Sequence, residues 1–181
     1  MKLIPTSLED CFIVEPVVYK DNRGEFFESY NKRILEKALG TSLSFVQDNH
    51  SVSHKGVLRG LHFQIGSKAQ AKLVRVLKGE VLDVVVDLRK KSPTFKQVFK
   101  TVLSDKKNQM LFIPAGMAHG FLSLSDDTVF LYKCDEYYDR EAESGIIFND
   151  PDLNLNWGLP SSEIILSEKD RKLPRLKDLK L

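Results

Sequence analysis

The sequence predicts an all-β protein built as a sandwich or barrel, on three observations. Short runs of strand-forming residues recur along most of the chain, turn signals separate them, and one stretch alone carries a convincing helix pattern. At 181 residues the chain is long enough to bury a core without disulfide or metal staples. One domain over residues 1–181 is expected, with an arm at 1–20, a β core at 21–150 and a C-terminal segment at 151–181.

Residues 3–18 mix apolar side chains with Pro5 and Pro16, which suits an edge strand or arm, because proline has no N–H for a ladder. Asp21-Asn22-Arg23-Gly24 is a turn, and after it Phe26, Glu28 and Tyr30 share a face. Asn31 caps a helix over residues 32–39, which Gly40 ends. Residues 43–49 read as a strand. Gly56-Val57-Leu58-Arg59-Gly60-Leu61-His62-Phe63-Gln64, the central segment, follows. Regular alternation puts Leu58, Gly60, His62 and Gln64 on one face, with Arg59, Leu61 and Phe63 on the other. A bend or bulge at Gly60 would instead bring Arg59 and His62 to one pocket.

Residues 66–71 form a polar loop. Strands at 72–77 and 81–88 flank Lys78-Gly79-Glu80, the pattern of a hairpin. With Lys78 and Gly79 as its loop, Val74 faces Asp83 and Lys72 lies one diagonal step from Asp83. Two opposite charges on a valine-rich face suggest a polar site inside a barrel. Ser92-Pro93-Thr94 breaks the chain before a strand at 95–103, and residues 109–113, 121–124, 129–134 and 145–148 continue the series. Residues 151–166 are turn-rich and extended, and Ser167 opens a short helix that takes in Asp170.

Lysine and arginine number 27 against 25 acids, a net charge of +2, so no nucleic-acid-binding surface is expected. The basic tail at 169–180, interrupted by Asp170 and Asp178, reads as a solvated end. Cys11 and Cys134 match no zinc or redox spacing and suit free thiols in a reducing cytoplasm. Asn49-His50-Ser51 matches a glycosylation acceptor, but no signal peptide accompanies it. No apolar run approaches membrane-spanning length, so a cytoplasmic protein without a membrane partner is expected.

Several groups suit chemistry. An imidazole near neutral pKa, such as His62, fits proton abstraction beside a carbonyl; the competing reading is a buried histidine satisfied by a hydrogen bond. Arg23, Arg59 and Lys72 suit a diphosphate, the last two being set in apolar strands. Gln47 and Asn49 alternate on one face and suit a base or sugar hydroxyls, or simply finish a turn. Among Tyr132, Tyr137 and Tyr138, most tyrosines are packing residues with a wet tip, but one opposite a histidine base could return a proton to a planar enolate. Pro114 to Phe121 resembles the second cupin motif, in which His119 would ligate a metal. The first motif, however, has Gln64 where a second histidine is needed, and residues 65–71 hold no glutamate. No metal is expected, and His119 reads as substrate-binding or structural.

Asp21-x-Arg23-Gly24-x-Phe26-x-Glu28, Gln47-x-Asn49-x-Ser51, the Val57–Gln64 run and Lys72-Leu73-Val74-Arg75-Val76 resemble the dTDP-4-dehydrorhamnose 3,5-epimerases. So do Asp83-Val84-x-Val86-Asp87, Ser92-Pro93-Thr94, the Ile113–Phe121 run and Asn149-Asp150, over nearly the whole chain. The resemblance implies a cupin-type double-sheet jelly roll with a few short helices, a homodimer, and no metal or other cofactor. It implies a dTDP-linked 4-keto-6-deoxyhexose as substrate. His62 matches the family's base, Asp170 the carboxylate that orients it, Tyr132 the acid on the opposite face, and Lys72 a group stabilising the enolate oxygen. Arg23, Glu28, Gln47, Asn49, Arg59, His119, Glu143 and Lys169 match substrate contacts; Asp83 also fits the pattern. Phe26 and Tyr138 are the candidates for stacking on thymine. Single-site epimerases and 3,4-ketoisomerases share much of this motif set, and a non-catalytic binding module or a metal-dependent oxygenase are readings from other classes.

Overall fold

The computed structural model describes residues 1–179. In chain order its strands are β1 (Lys2–Pro5), β2 (Phe12–Glu15), β3 (Tyr19–Asp21), β4 (Gly24–Phe26), β5 (Gln47–Ser53), β6 (Leu58–Gln64) and β7 (Lys72–Lys78). There follow β8 (Glu80–Asp87), β9 (Val98–Ser104), β10 (Met110–Ile113), β11 (Met117–Ser123), β12 (Thr128–Cys134) and β13 (Glu143–Gly145). A six-stranded sheet, β1-β2-β10-β7-β12-β5, faces a five-stranded sheet, β13-β6-β11-β8-β9, and β3 and β4 make a separate hairpin. The fold is the all-β double-sheet architecture expected.

Period-two alternation divides the side chains into three layers. Val74, Val76, Leu111 and Phe130 of the larger sheet meet Val81, Val85, Met117 and Phe121 of the smaller one in the space between them. Leu73, Met110 and Phe112 point outward, where Leu35 and Leu43 cover them. On the other flank Leu58, Leu61, Val84 and Val86 are covered by Ile146, Phe148, Trp157 and Leu176 of the C-terminal segment. Each large apolar side chain so buried contributes about 1.5–3 kcal/mol relative to exposure.

The helix α1 spans Lys32–Leu39 as expected: Asn31 accepts from the Ile34 N–H, and Gly40 closes it in the left-handed region at φ 71°. Its one fully buried side chain, Leu35, is the clip that holds it on the sheet.

Several expectations need correction. The strand expected at 145–148 runs instead over Glu143–Gly145, and the one expected at 95–103 runs over Val98–Ser104, because the Phe95 N–H closes a turn onto the Ser92 carbonyl. The strand expected at 43–49 begins at Gln47, because Leu43 leaves the sheet to pack under α1. β7 and β8 do not form a hairpin: β7 pairs with β10 and β12, and β8 with β9 and β11. Gly79, at φ 85°, turns the chain from one sheet into the other, because each strand buries more by facing the opposite sheet than by pairing locally. Lys72 and Asp83 still point into the same interior, now from facing sheets. The tail is not simply solvated: Asp170 and Leu176 are buried and the Ile147 N–H donates to the Pro174 carbonyl, although Lys180 lies outside the described residues. Finally, β6 breaks regular alternation, with direct consequences for the site.

Candidate active site

Between the sheets lies a cavity of about 700 Å³, within the range of small-molecule pockets. Its geometry starts at Gly60. β6 pairs with β11 so that His62 sits opposite His119 but Arg59 opposite Phe121, leaving one extra residue on β6. Leu58, Leu61 and Phe63 therefore pack outward together, while Arg59 and His62 both line the cavity. The regular-strand grouping of Leu58 with His62 is thus wrong, and the bulge at Gly60 is what the chain adopts. Only glycine fits: a Cβ there would lie 2.5 Å from the Gly120 Cα and 2.8 Å from the His119 carbonyl oxygen.

His62 Nε2 lies 2.6 Å from Asp170 Oδ1. Burial alone would raise the Asp170 carboxyl, but the hydrogen bond and charge of His62, with Ser167 and the Gly60 N–H, hold it below the usual carboxylate range. An ionised carboxylate only accepts, so Nε2 carries the proton and Nδ1 is the basic nitrogen. Asp170 reaches this position because the Leu58 N–H donates to the Ile165 carbonyl and the Ile165 N–H to the Gly56 carbonyl, stitching the tail to the start of β6. The Asp170 N–H also donates to Ser167 Oγ, so the expected helix start is real and serves the dyad as well.

Across the larger sheet, side chains stand in rows set by register. Asn49 of β5 is beside Tyr132 of β12 and Val74 of β7; Gln47 is beside Cys134 and Lys72. Burial pushes the Tyr132 phenol up and the Lys72 ammonium down. The Lys72 Nζ donates to the His62 carbonyl at 3.4 Å, which joins the two sheets at the cavity floor. Arg59 is aimed by donating to Ser53 Oγ at 3.2 Å. At the mouth, Tyr138 Oη donates to Glu143 Oε2 at 2.8 Å and Lys169 Nζ meets the same oxygen at 2.5 Å. Burial opposes ionisation of Glu143, but Lys169 and Tyr138 outweigh it and the carboxyl is lowered. Gln47 Nε2 donates to Asn49 Oδ1, and Gln47 Oε1 accepts from the Tyr138 N–H, tying the β5 row to the mouth.

Eleven of the fifteen residues singled out in sequence therefore line one cavity: His62, Tyr132, Asp170, Lys72, Gln47, Asn49, Arg59, His119, Tyr138, Glu143 and Lys169. Arg23, Phe26 and Glu28 do not. Arg23 and Phe26 lie on the β3–β4 hairpin and its turn, with Arg23 paired to Asp21 and Phe26 70% exposed, while Glu28 accepts from Asn31. Asp83 is also outside the lining: it is fully buried behind His119, because its inward-facing position on β8 lies below the floor. Gln64 ties down a loop, donating to the Lys68 and Tyr137 carbonyls and accepting from the Asp139 N–H. Among the described residues no three His, Cys, Asp or Glu side chains are placed to hold a metal ion.

Among the cavity residues that escaped the sequence reading of the site, two carry polar atoms of note. Cys134 is a buried free thiol beside Lys72, and Ser51 has a buried Oγ without a partner among the described residues. Alternation was the available signal, since Ser51 follows Gln47 and Asn49 on one face and Cys134 follows Tyr132.

An imidazole paired to a buried carboxylate, a phenol and a buried ammonium in one double-sheet cavity define a proton-transfer enzyme of the jelly-roll type. Comparison with known proteins narrows this. Residues 5–178 match the family described as dTDP-4-dehydrorhamnose 3,5-epimerase, and the chain belongs to that family. It is 50% identical to the dTDP-4-dehydrorhamnose 3,5-epimerase of Salmonella typhimurium, covering 97% of this chain and 96% of the relative. The crystal structure of the Elizabethkingia anophelis enzyme superposes with a TM-score of 0.95 at 50% identity, covering 98% and 97% of the two chains. A dTDP-6-deoxy-D-glucose-3,5-epimerase from Legionella pneumophila, in complex with dTDP-4-keto-L-rhamnose, gives 0.93 at 45% identity, covering 98% and 94%.

Proposed function

We propose that this protein inverts C3 and C5 of dTDP-4-keto-6-deoxy-D-glucose to yield dTDP-4-keto-L-rhamnose. The observation that carries the reading is the His62–Asp170 pair in one cavity with Tyr132 and Lys72. The C4 ketone acidifies the hydrogens on C3 and C5. His62 Nδ1 takes one of them, and the electron pair moves onto the ketone oxygen as an enolate. Lys72 holds that oxyanion. The Tyr132 phenol, kept protonated by burial, returns a proton to the opposite face of the same carbon. His62 then gives its proton to solvent and the Tyr132 phenolate takes one up, and repetition at the second carbon completes the double inversion. Asp170 orients the His62 ring and stabilises the imidazolium formed on each abstraction. Arg59 and His119 hold the diphosphate and sugar, while Gln47, Asn49, Glu143 and Lys169 hold the nucleoside side of the ligand, with Tyr138 at the mouth stacking on thymine.

Incubation with the 4-keto sugar nucleotide in heavy water, read by proton NMR, is expected to place deuterium at both C3 and C5. Label at one carbon alone would reduce the enzyme to a single-site epimerase, and no label would remove the proton-transfer reading.

We infer further that the working unit is a homodimer. Phe26 and Tyr19 are 70% and 64% exposed on the β3–β4 hairpin, an apolar surface that a lone chain rarely leaves open. β5, which carries Gln47 and Asn49, is an edge strand of its sheet, and such edges invite pairing. The hairpin of one chain seated at this edge would bring Arg23, Phe26 and Glu28 of the partner subunit to the cavity mouth. Sedimentation at micromolar concentration is expected to give the mass of two chains; a monomer that turns over at full rate would overturn this arrangement. A cytoplasmic setting suits the free thiols of Cys11 and Cys134.

A further inference from the structure

Gln64 ends β6 and is only 4% exposed, and its whole carboxamide is engaged with main chain. Its Nε2 donates to the Lys68 carbonyl at 2.7 Å and to the Tyr137 carbonyl at 3.1 Å, and its Oε1 accepts from the Asp139 N–H at 2.7 Å. Two of these three partners flank Tyr138. The Tyr138 N–H itself donates to Gln47 Oε1 at 2.9 Å. The backbone around that ring is therefore held by two glutamine side chains and not by a strand ladder.

The segment they fix, residues 135–142, joins β12 to β13 and has no strand or helix of its own. Its start is held by Gln70, which donates to the Glu136 carbonyl at 2.8 Å. Its end is held by the Ile65 N–H, which donates to the Ala142 carbonyl at 3.0 Å. Gln64 sets the middle, and Asp139 extends the hold by accepting from the Glu141 and Ala142 N–H groups at 2.8 and 3.2 Å. Tyr138 stands at the tip, half exposed, with its hydroxyl on Glu143, the residue that pairs with Gln64 in the sheet.

A connecting segment of this kind costs conformational entropy to order, and a ligand that has to order it binds more weakly by that amount. A buried carboxamide meets the need, since it carries two donors and an acceptor at one planar end. Loss of that end leaves main-chain groups unpaired, which is costly where they are buried.

We propose that Gln64 is a positioning residue for nucleotide recognition: its carboxamide presets the Tyr137–Asp139 backbone, so that the Tyr138 ring stands ready at the mouth for the base. The inference rests on the reading that Tyr138 stacks on thymine. Gln64 follows His62 by two residues on β6, so the ring at the mouth and the base in the cavity are referred to one strand.

Gln64→Met keeps the length of the side chain and adds no charge, but it gives the three main-chain groups nothing comparable to pair with. Its Kd for dTDP is expected to rise about tenfold and KM with it, while kcat stays within about twofold, because Tyr138 stands away from the reacting carbons. Its affinity for inorganic pyrophosphate is expected to change by less than about twofold, since a role through Tyr138 bears on the base alone. Equal weakening of both ligands would mean a general collapse of the cavity and overturns the inference. So does unchanged affinity for dTDP, or a fall in kcat with Kd unchanged.

Tyr138→Ala is expected to weaken dTDP about thirtyfold, and Gln64→Met is expected to add nothing further in that background. Additive losses overturn the route through Tyr138. If Tyr138→Ala binds dTDP like the wild type, the stacking reading falls and takes this inference with it. If Tyr138→Ala is weak while Gln64→Met is not, only the present inference falls. One measurement does not depend on a variant folding. Hydrogen exchange of the Asp139 amide in the ligand-free wild-type protein is expected to be slowed about a hundredfold or more relative to an open chain; exchange at the open-chain rate overturns the inference.

Discussion

Replacing His62 with alanine is expected to lower deuterium exchange at both C3 and C5 by about 10³-fold while leaving the affinity for dTDP within about tenfold. The asymmetry follows from position. His62 faces the cavity with Nε2 committed to Asp170 at 2.6 Å and no partner on Nδ1 among the described residues, so under the proposed mechanism it would meet the sugar carbon and act chiefly in the transition state. In the same reading Arg59 would hold the diphosphate, and the β5 row and the mouth the nucleoside. Both carbons are expected to fail together, because the proposed mechanism assigns the abstraction at C3 and at C5 to the same imidazole, His62. Loss at one carbon with retention at the other would show that a second group abstracts there. Full exchange at both would remove His62 from the mechanism.

The second large effect lies in the backbone. Gly60→Ala is expected to destabilise the fold by about 3–5 kcal/mol and to abolish exchange, combining a strained backbone with overpacking. Gly60 has φ 124°, and a methyl group there would meet the Gly120 Cα at 2.5 Å and the His119 carbonyl oxygen at 2.8 Å. Both obstacles are main chain and cannot turn aside. Relief requires β6 and β11 to part, and those strands carry His62 and His119 opposite each other. Gly24 provides a matched control, since its φ is 125° and nothing lies within 4 Å of a Cβ there. Gly24→Ala is therefore expected to cost only the backbone penalty, about 1 kcal/mol. Urea unfolding of the two variants, with exchange measured on each, checks both. Equal effects would mean that the Gly60–Gly120 contact does not govern the site.

Much of this was legible along the chain. The cap at Asn31, the helix to Leu39 and the closing glycine were all local signals and appear as expected. The rows Gln47-Asn49 and Tyr132-Cys134 obey strand alternation, and a bulge at Gly60 was one of two readings available for β6. Asp170 was harder. It stands 108 residues from His62, and nothing near either residue encodes the meeting; the resemblance to the epimerases indicated it, and the stitching of the tail onto β6 brings it about. Asp83 was placed on the inner face correctly, but whether it lined the cavity or lay beneath it depended on what stood in front of it.

What the sequence determined by itself is therefore most of the strands, the helix at 32–39 and the residue types that suit proton transfer, because these rest on periodicities and caps set within a few residues. Tertiary structure alone decided that β7 and β8 part company into facing sheets, that the hairpin bearing Arg23 and Phe26 stands away from its own cavity, and which carboxylate serves which histidine. Those outcomes depend on how whole faces bury against one another, and a local pattern carries no record of which distant face it will meet.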